Sequence, residues 1–222
     1  MKVVIISDTH GLFRSKSMQP IPDGDLLIHC GDVSNVGYVN EIKDFIKWFS
    51  EQPHKRKIFI GGNHDFGLQT KMNELEEAIK EAEAHGVTYL QDSGVEIDGL
   101  KFWGSPWTPE FSDWAFMKGR GEGVGRIGEV WEKIPDDTDV LITHGPPRLM
   151  NTLDYTIYGN INVGCDDLMF RINQLPNLKL NCFGHIHGGY GMKEIDGKIF
   201  VNASTCTEMY RPTNEAIVVD LN

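Results

Sequence analysis

The chain has 222 residues, 40% hydrophobic and 24% charged, the balance of a globular protein and not of a disordered or fibrous one. Its 32 acidic against 21 basic side chains leave a formal charge of -11. This argues against a broad duplex-binding surface but leaves room for a small anionic substrate where metal ions supply local positive charge.

No apolar run approaches the ~20 residues of a membrane helix. The opening "MKVVIISD" runs straight into a strand pattern without the features of a signal peptide, so the expected location is the cytoplasm. Cys30, Cys165, Cys182 and Cys206 show no paired spacing, and buried, reduced thiols are expected.

In chain order, strands are predicted at 2–6 ("KVVII"), 26–29 ("LLIH") and 57–61 ("KIFIG"), each too short and too β-branched or aromatic for a helix. A helix is predicted over 41–49, where Ile42, Phe45, Ile46 and Phe49 form an apolar stripe. Another is predicted over 73–85, with a capping box of Asn73 and Glu76 and a stop at Gly86. Two hairpins follow from Asp98-Gly99 in 95–104 and Asp196-Gly197 in 192–202. Between them lie strands at 140–143 and 178–183 and helices near 124–133 and 166–173, and a last strand spans 215–221. The first half reads as βαβα and the second as mostly hairpins. The expected architecture is α/β: two stacked mixed sheets with helices on their outer faces, an α/β/β/α sandwich, as one domain over 1–222.

Five of these strands finish in Asp, Asn or His. "VVIISDTHG" ends in Asp8 and His10, "LLIHCGD" in Asp32, and "KIFIGGNHD" in Asn63, His64 and Asp65. "VLITHG" ends in His144, and "LNCFGHIHGG" in His185 and His187. The C-terminal edge of an open α/β sheet is where ligands bind. Residues two apart on an extended segment share a face, so Asp8 with His10, and His185 with His187, can address one target. Carboxylates, imidazoles and one amide carbonyl together suit metal ions. Seven ligands are too many for one tetrahedral ion and suit two ions that share a carboxylate, an arrangement that clamps a displacement at phosphorus. A donor set of N and O without thiolate fits Mn, Fe, Zn, Co or Ni, with Mn the first expectation.

The ordered blocks "DTH" (8–10), "GD" (31–32), "GNHD" (62–65), "HG" (144–145) and "GHIH" (184–187) resemble the calcineurin-like metallophosphoesterases. Thr143 stands where that family often has glycine. "GSPWTPEFSDWAF" (104–116), "THGPP" (143–147), "GHIHGGYG" (184–191), "NASTC" (202–206) and "PTN" (212–214) resemble its metallophosphoesterase-domain-containing branch, linked to class III cyclic nucleotide phosphodiesterases. The resemblance implies the metallophosphoesterase fold and a dinuclear site. Asp8, His10 and His187 would hold one ion, Asn63, His144 and His185 the other, and Asp32 would bridge them. It further implies attack on phosphorus by a hydroxide between the metals, with His64 acting on phosphate and leaving oxygen and Asp65 orienting His64. The expected activity is hydrolysis of small phosphodiesters, first among them cyclic nucleotides. The alternatives are a phosphomonoesterase or protein phosphatase of the same fold, and a weakly catalytic scaffold.

The expected partner is thus a small phosphodiester or nucleotide, with no membrane and no extended nucleic-acid surface; assembly into a homo-oligomer is left open. The rings of Phe102, Trp103, Trp107, Phe111, Trp114 and Phe116 either stack a nucleobase or pack the interior. Tyr190 and Arg120 are further candidates for substrate contact. The glycine-rich "KGRGEGVGRIG" (118–128) lacks a P-loop's strand and Gly-Lys-Ser/Thr ending and reads as a flexible loop near the site. His29 reads as either a support for the site or a packed strand histidine, and His54 and His85 as surface residues.

Overall fold

Alternation along the first strand sets the layering. In the computed structural model, which describes residues 1–121 and 123–221, Val3 and Ile5 pack into one apolar cluster and Val4 and Ile6 into another. Leu26 and Ile28 divide from Leu27 in the same way, as do Val140 and Ile142 from Leu141. Strands buried on both faces need a layer on each side.

The chain runs β1 (Lys2–Ile6), β2 (Leu26–His29), α1 (Val39–Ser50), β3 (Arg56–Phe59), α2 (Phe66–Thr70), α3 (Met72–Glu83) and β4 (Val87–Tyr89). Next come β5 (Ser93–Ile97), β6 (Leu100–Ser105), the short pair β7 (Thr108–Pro109) and β8 (Met117–Lys118), α4 (Gly128–Trp131) and β9 (Val140–Thr143). The short pair β10 (Tyr155–Thr156) and β11 (Ile161–Asn162), α5 (Asp166–Ile172), β12 (Leu180–Phe183), β13 (Gly191–Ile195), β14 (Lys198–Asn202) and β15 (Ile217–Asp220) complete it.

One sheet has the order β15-β1-β2-β3-β4, parallel except for the antiparallel β15. The other has the order β13-β14-β12-β9-β6-β5, with parallel centre strands and an antiparallel hairpin at each edge. The core between the sheets holds Val3, Ile28, Ile58, Ile142 and Val201. Phe45, Phe49 and Leu75 of α1 and α3 cover the outside of the first sheet, and Trp131, Leu168 and Ile172 of α4 and α5 cover the second. The result is the expected α/β/β/α sandwich. Both Asp-Gly hairpins form two-residue turns, with Ile97 paired to Leu100 and Ile195 to Lys198. All four turn residues have positive φ, as a type I′ turn requires.

Several expectations need correction. The β1–β2 connection carries no helix, so the first half is not a strict βαβα. The capping box at Asn73 does not form, because α3 already begins at Met72 and Asn73 lies inside its first turn. The cause is α2 immediately upstream, whose last turn closes through Lys71 N–H to Gly67 O. The helix expected over 124–133 shortens to α4, since positive φ at Gly121, Gly123 and Gly125 excludes an earlier start. Glu122 of the glycine-rich segment, and Glu122 and Asn222 of the expected 1–222 domain, lie outside the described residues. His54 is buried, not on the surface: its Nε2 meets the Pro22 carbonyl at 3.0 Å, and its own carbonyl accepts from Lys57 Nζ at 2.7 Å. His85 is exposed as expected. All four cysteines are free and buried.

Candidate metal centre

The parallel strands β1, β2 and β3 of one sheet and β9 and β12 of the other all end at one place. Just past them sit Asp8, His10, Asp32, Asn63, His144, His185 and His187. A parallel bridge between Ser7 and Ser204 ties the two sheets together at this edge.

Asp32 lies at the centre. Its Oδ2 is 3.3 Å from His144 Nε2, 3.8 Å from His10 Nε2 and 4.0 Å from His64 Nε2. On one side, His10 Nε2 faces His187 Nε2 at 3.1 Å, and His187 Nε2 is 3.6 Å from Asp8 Oδ1. On the other, His144 Nε2 is 2.9 Å from Asn63 Oδ1. Three overlapping groups (Asp8, His10 and His187; His10, Asp32 and His64; Asp32, His144 and His185) each keep their donor atoms within 4.8 Å of one another.

The far ring nitrogens are tied to backbone carbonyls. His144 Nδ1 donates to Cys30 O at 2.9 Å, His187 Nδ1 to Thr207 O at 3.1 Å and His64 Nδ1 to Asn35 O at 2.7 Å. Such bonds fix the orientation of each ring and turn its Nε2 inward. The Asp8 carboxylate accepts from His185 N–H, at 3.0 Å to each oxygen, and from Ser204 Oγ at 2.8 Å. Asp32 Oδ1 accepts from His64 N–H at 2.8 Å.

These residues fit a divalent cation. Carboxylates, imidazoles and an amide oxygen crowd their donor atoms together, the two facing Nε2 atoms of His10 and His187 at 3.1 Å, and His10 Nδ1 has no partner. The backbone is strained to the same end: Asp8, His10, Asp32 and His185 hold φ of 51°, 45°, 54° and 67°, a left-handed conformation that costs about 1–2 kcal/mol per non-glycine residue.

Without a cation the charges polarise one another. Burial opposes charge on Asp32, but His144 and His10 hold its carboxyl well below the usual range. Burial likewise opposes a proton on His144, yet the Asp32 carboxylate raises it to about 9. Burial dominates at His10, lowered to about 4, and at His185, lowered to about 3, so both keep a free lone pair.

Asp65 departs from its expected role. Its carboxylate accepts from Gly62 N–H (2.9 Å), Ser34 N–H (3.0 Å), Val33 N–H (3.1 Å) and Ser34 Oγ (2.5 Å). Its oxygens are claimed by the loops after β2 and β3, and the Asn35 carbonyl holds the His64 ring instead. His29 fills both roles foreseen for it. It packs on Phe45 and Phe49, and its Nε2 meets Thr9 Oγ1, between Asp8 and His10, at 2.9 Å.

The aromatic stretch divides. Phe102 and Phe116 are buried, and Trp107 donates from Nε1 to Asp92. Phe111 and Trp114 line a cavity of about 350 Å³ over the cluster. Arg120 is occupied by the carbonyls of Val163 and Gly164 and pairs with Asp166, and the Tyr190 hydroxyl donates to Glu215 O.

Sequence reasoning missed Tyr210, whose ring centroid lies 4.9 Å from that of His10 and 5.1 Å from that of His187, with φ at 52°. It sits in a loop far from any strand end, and no local pattern marks it. Ser204 and Asn214 had a signal, the quoted "NASTC" and "PTN". Asn214 Nδ2 donates to Ser204 O, and Ser204 Oγ supports Asp8.

A sequence profile of the calcineurin-like phosphoesterases matches residues 1–189. The chain belongs to the calcineurin-like phosphoesterase family. Family members are metal-dependent, which accords with the Asp and His clusters described above. The chain is 37% identical to human metallophosphoesterase domain-containing protein 1 over 238 aligned positions, covering 99% of this chain and 71% of the relative. It is 35% identical to the UPF0046 protein K07C11.7 of Caenorhabditis elegans, covering 94% and 71%. The crystal structure of TT1561 of Thermus thermophilus superposes with a TM-score of 0.59 at 14% identity, over 90% of this chain and 88% of that one, a likeness of fold alone. Among the described residues no helix is long and apolar enough to cross a membrane.

Proposed function

We propose that the protein, as one domain over 1–222, is a cytoplasmic, dinuclear-metal phosphodiesterase acting on small phosphodiesters, cyclic nucleotides first among them. Asp8, His10 and His187 would hold one ion and Asn63, His144 and His185 the other, with Asp32 between them and Mn²⁺ the first candidate. Divalent ions bound there supply Lewis-acid activation of water and of the phosphoryl oxygens. Asn63 gives a ligating oxygen without cancelling positive charge. His64, beside Asp32 and on the cavity wall, contacts the phosphate and gives a proton to the leaving oxygen. Asp65 acts by holding together the loops that carry Asp32 and His64.

One observation favours a diester over a monoester. Among the described residues lining the cavity there is no lysine or arginine; Trp114, Phe111, Tyr158 and Tyr210 form much of the wall, and Glu208 adds negative charge. Enzymes that grip a phosphate dianion commonly use an arginine fork. A singly charged diester needs only what bound ions provide. The test uses metal-stripped protein with and without Mn²⁺, on 2′,3′-cyclic AMP, 3′,5′-cyclic AMP, bis-p-nitrophenyl phosphate and p-nitrophenyl phosphate. Metal-dependent cleavage of the diesters that His64→Ala loses is the expected result. Turnover of the monoester alone reassigns the protein as a phosphatase, and no turnover with any divalent ion leaves a binding scaffold.

A further inference from the structure

A second cavity of about 320 Å³ opens beside the first, and its chemistry is different. Pro109, Pro146, Val163 and Ile186 give it apolar walls. Phe111, Thr156, Tyr158, His185 and Ile186 line both cavities, so the two adjoin with His185 on their common wall. Arg120 lies on its wall, but both terminal nitrogens are taken by the Val163 and Gly164 carbonyls and its charge faces Asp166. Glu110 also lines it and disfavours an anion. The cleft is thus built for an uncharged group attached to whatever His185 and its neighbours hold.

Two large side chains stand at the shared rim with much of their surface in water, Phe111 at 59% exposed and Tyr158 at 70%. Tyr158 is carried on the loop between β10 and β11, where Ile157 of the loop and Ile161 of β11 are also exposed. Large apolar groups gathered at the mouth of a cleft are a feature that a ligand would cover. Two prolines and two aromatic rings among the lining residues favour an aromatic partner over an aliphatic one.

Building on the phosphodiesterase reading, we propose that this cleft is the subsite for one organic substituent of the substrate's phosphate and selects one that presents a planar aromatic ring, an aryl ester or the base of an esterified nucleoside. The phosphate sits over the Asp32 cluster while the aromatic group enters between Phe111 and Tyr158. Specificity for the diester's substituent then resides in residues 109–111, 146, 158 and 163, apart from the metal-facing side chains.

The test separates binding from turnover. With Mn²⁺-loaded protein, phenylphosphonate and methylphosphonate, neither of which carries a cleavable ester, are titrated by calorimetry. The phenyl compound is expected to bind about tenfold tighter, as burial of one ring in an apolar cleft provides. In parallel, phenyl p-nitrophenyl phosphate and methyl p-nitrophenyl phosphate, which share a leaving group, are compared by kcat/KM. Val163→Trp, which fills the cleft, and Tyr158→Ala, which strips its rim at an exposed position, should each bring both phenyl-to-methyl ratios down severalfold toward one. Equal binding of the two phosphonates, no binding of either, or ratios unchanged in both variants overturns the subsite. A tenfold binding preference that collapses in the variants, with no diester turned over, upholds the subsite while the phosphodiesterase reading fails.

Discussion

The indole of Trp114 lies over the imidazole of His64, ring centroids 4.4 Å apart and planes 30° apart. His64 also packs T-shaped against the His10 ring, centroids 4.6 Å apart, and its Nδ1 is held by the Asn35 carbonyl. The ring is thus fixed in plane and in rotation. Trp114→Ala frees the plane and is expected to lower kcat about tenfold with little change in KM, since a positioned proton donor acts chiefly in the transition state. Trp114→Phe should recover most of the loss, and steady-state kinetics on bis-p-nitrophenyl phosphate with Mn²⁺ decides it.

On the proposed assignment His64 and Asn63 are neighbours with different work, and substitution should separate them. His64→Ala is expected to reduce kcat by roughly 10²–10⁴-fold while metal content, read by elemental analysis after dialysis, stays at the wild-type level. Asn63→Ala should lose metal content itself. Equal metal loss in both variants would contradict the division.

Asp65 is a structural clasp. Removing a buried carboxylate that accepts from four donors leaves those donors unpaired, so Asp65→Ala is expected to lower unfolding stability by about 3 kcal/mol or more. Urea denaturation of the metal-free protein measures it without interference from bound ions.

Gly62 and Gly184 have no room for a methyl group. A Cβ at Gly62 would strike the Asp32 carboxylate and backbone and come within 2.7 Å of His144 Cε1; at Gly184 it would strike Asp8 Oδ2 and Ser7 Oγ. Each alanine variant is expected to displace an acidic member of the cluster and cut activity by at least about 10²-fold, as an ångström-scale misplacement can. Metal titration should weaken in parallel, through Asp32 in the first case and Asp8 in the second.

Cations that bind the folded protein and not the unfolded chain should raise its melting temperature. At a hundredfold excess over Kd, each site contributes about 2.7 kcal/mol. Calorimetry with Mn²⁺ and with EDTA tests this, and Asp32→Ala should remove most of the difference because Asp32 adjoins both donor sets.

Much of this was legible in the sequence because period and strand-end chemistry are local signals. The short apolar run "KVVII" and the Asp-Gly turns keep their predicted forms, and the polar residues after five strands converge because parallel strands in neighbouring sheets end on one edge. What did not survive depends on neighbours. The start of α3 is decided by α2, the His64 support by a carbonyl from a loop after another strand, and the burial of His54 by Pro22. A backbone carbonyl has no signature in sequence, so the family resemblance offered Asp65 for the place that the Asn35 carbonyl takes.

The hydrogen bond from Ser204 to Asp8, with β15 paired to β1, has a consequence for biosynthesis. Asp8 leaves the ribosome early, but the hydroxyl that supports it follows 196 residues later, and the strand that closes its sheet comes later still. A nascent chain therefore carries most of the clustered Asp and His side chains without the framework that fixes them. The geometry of the cluster is therefore set only once residues 204 and 217–220 have joined the fold, a late step that rests on contacts distant in sequence.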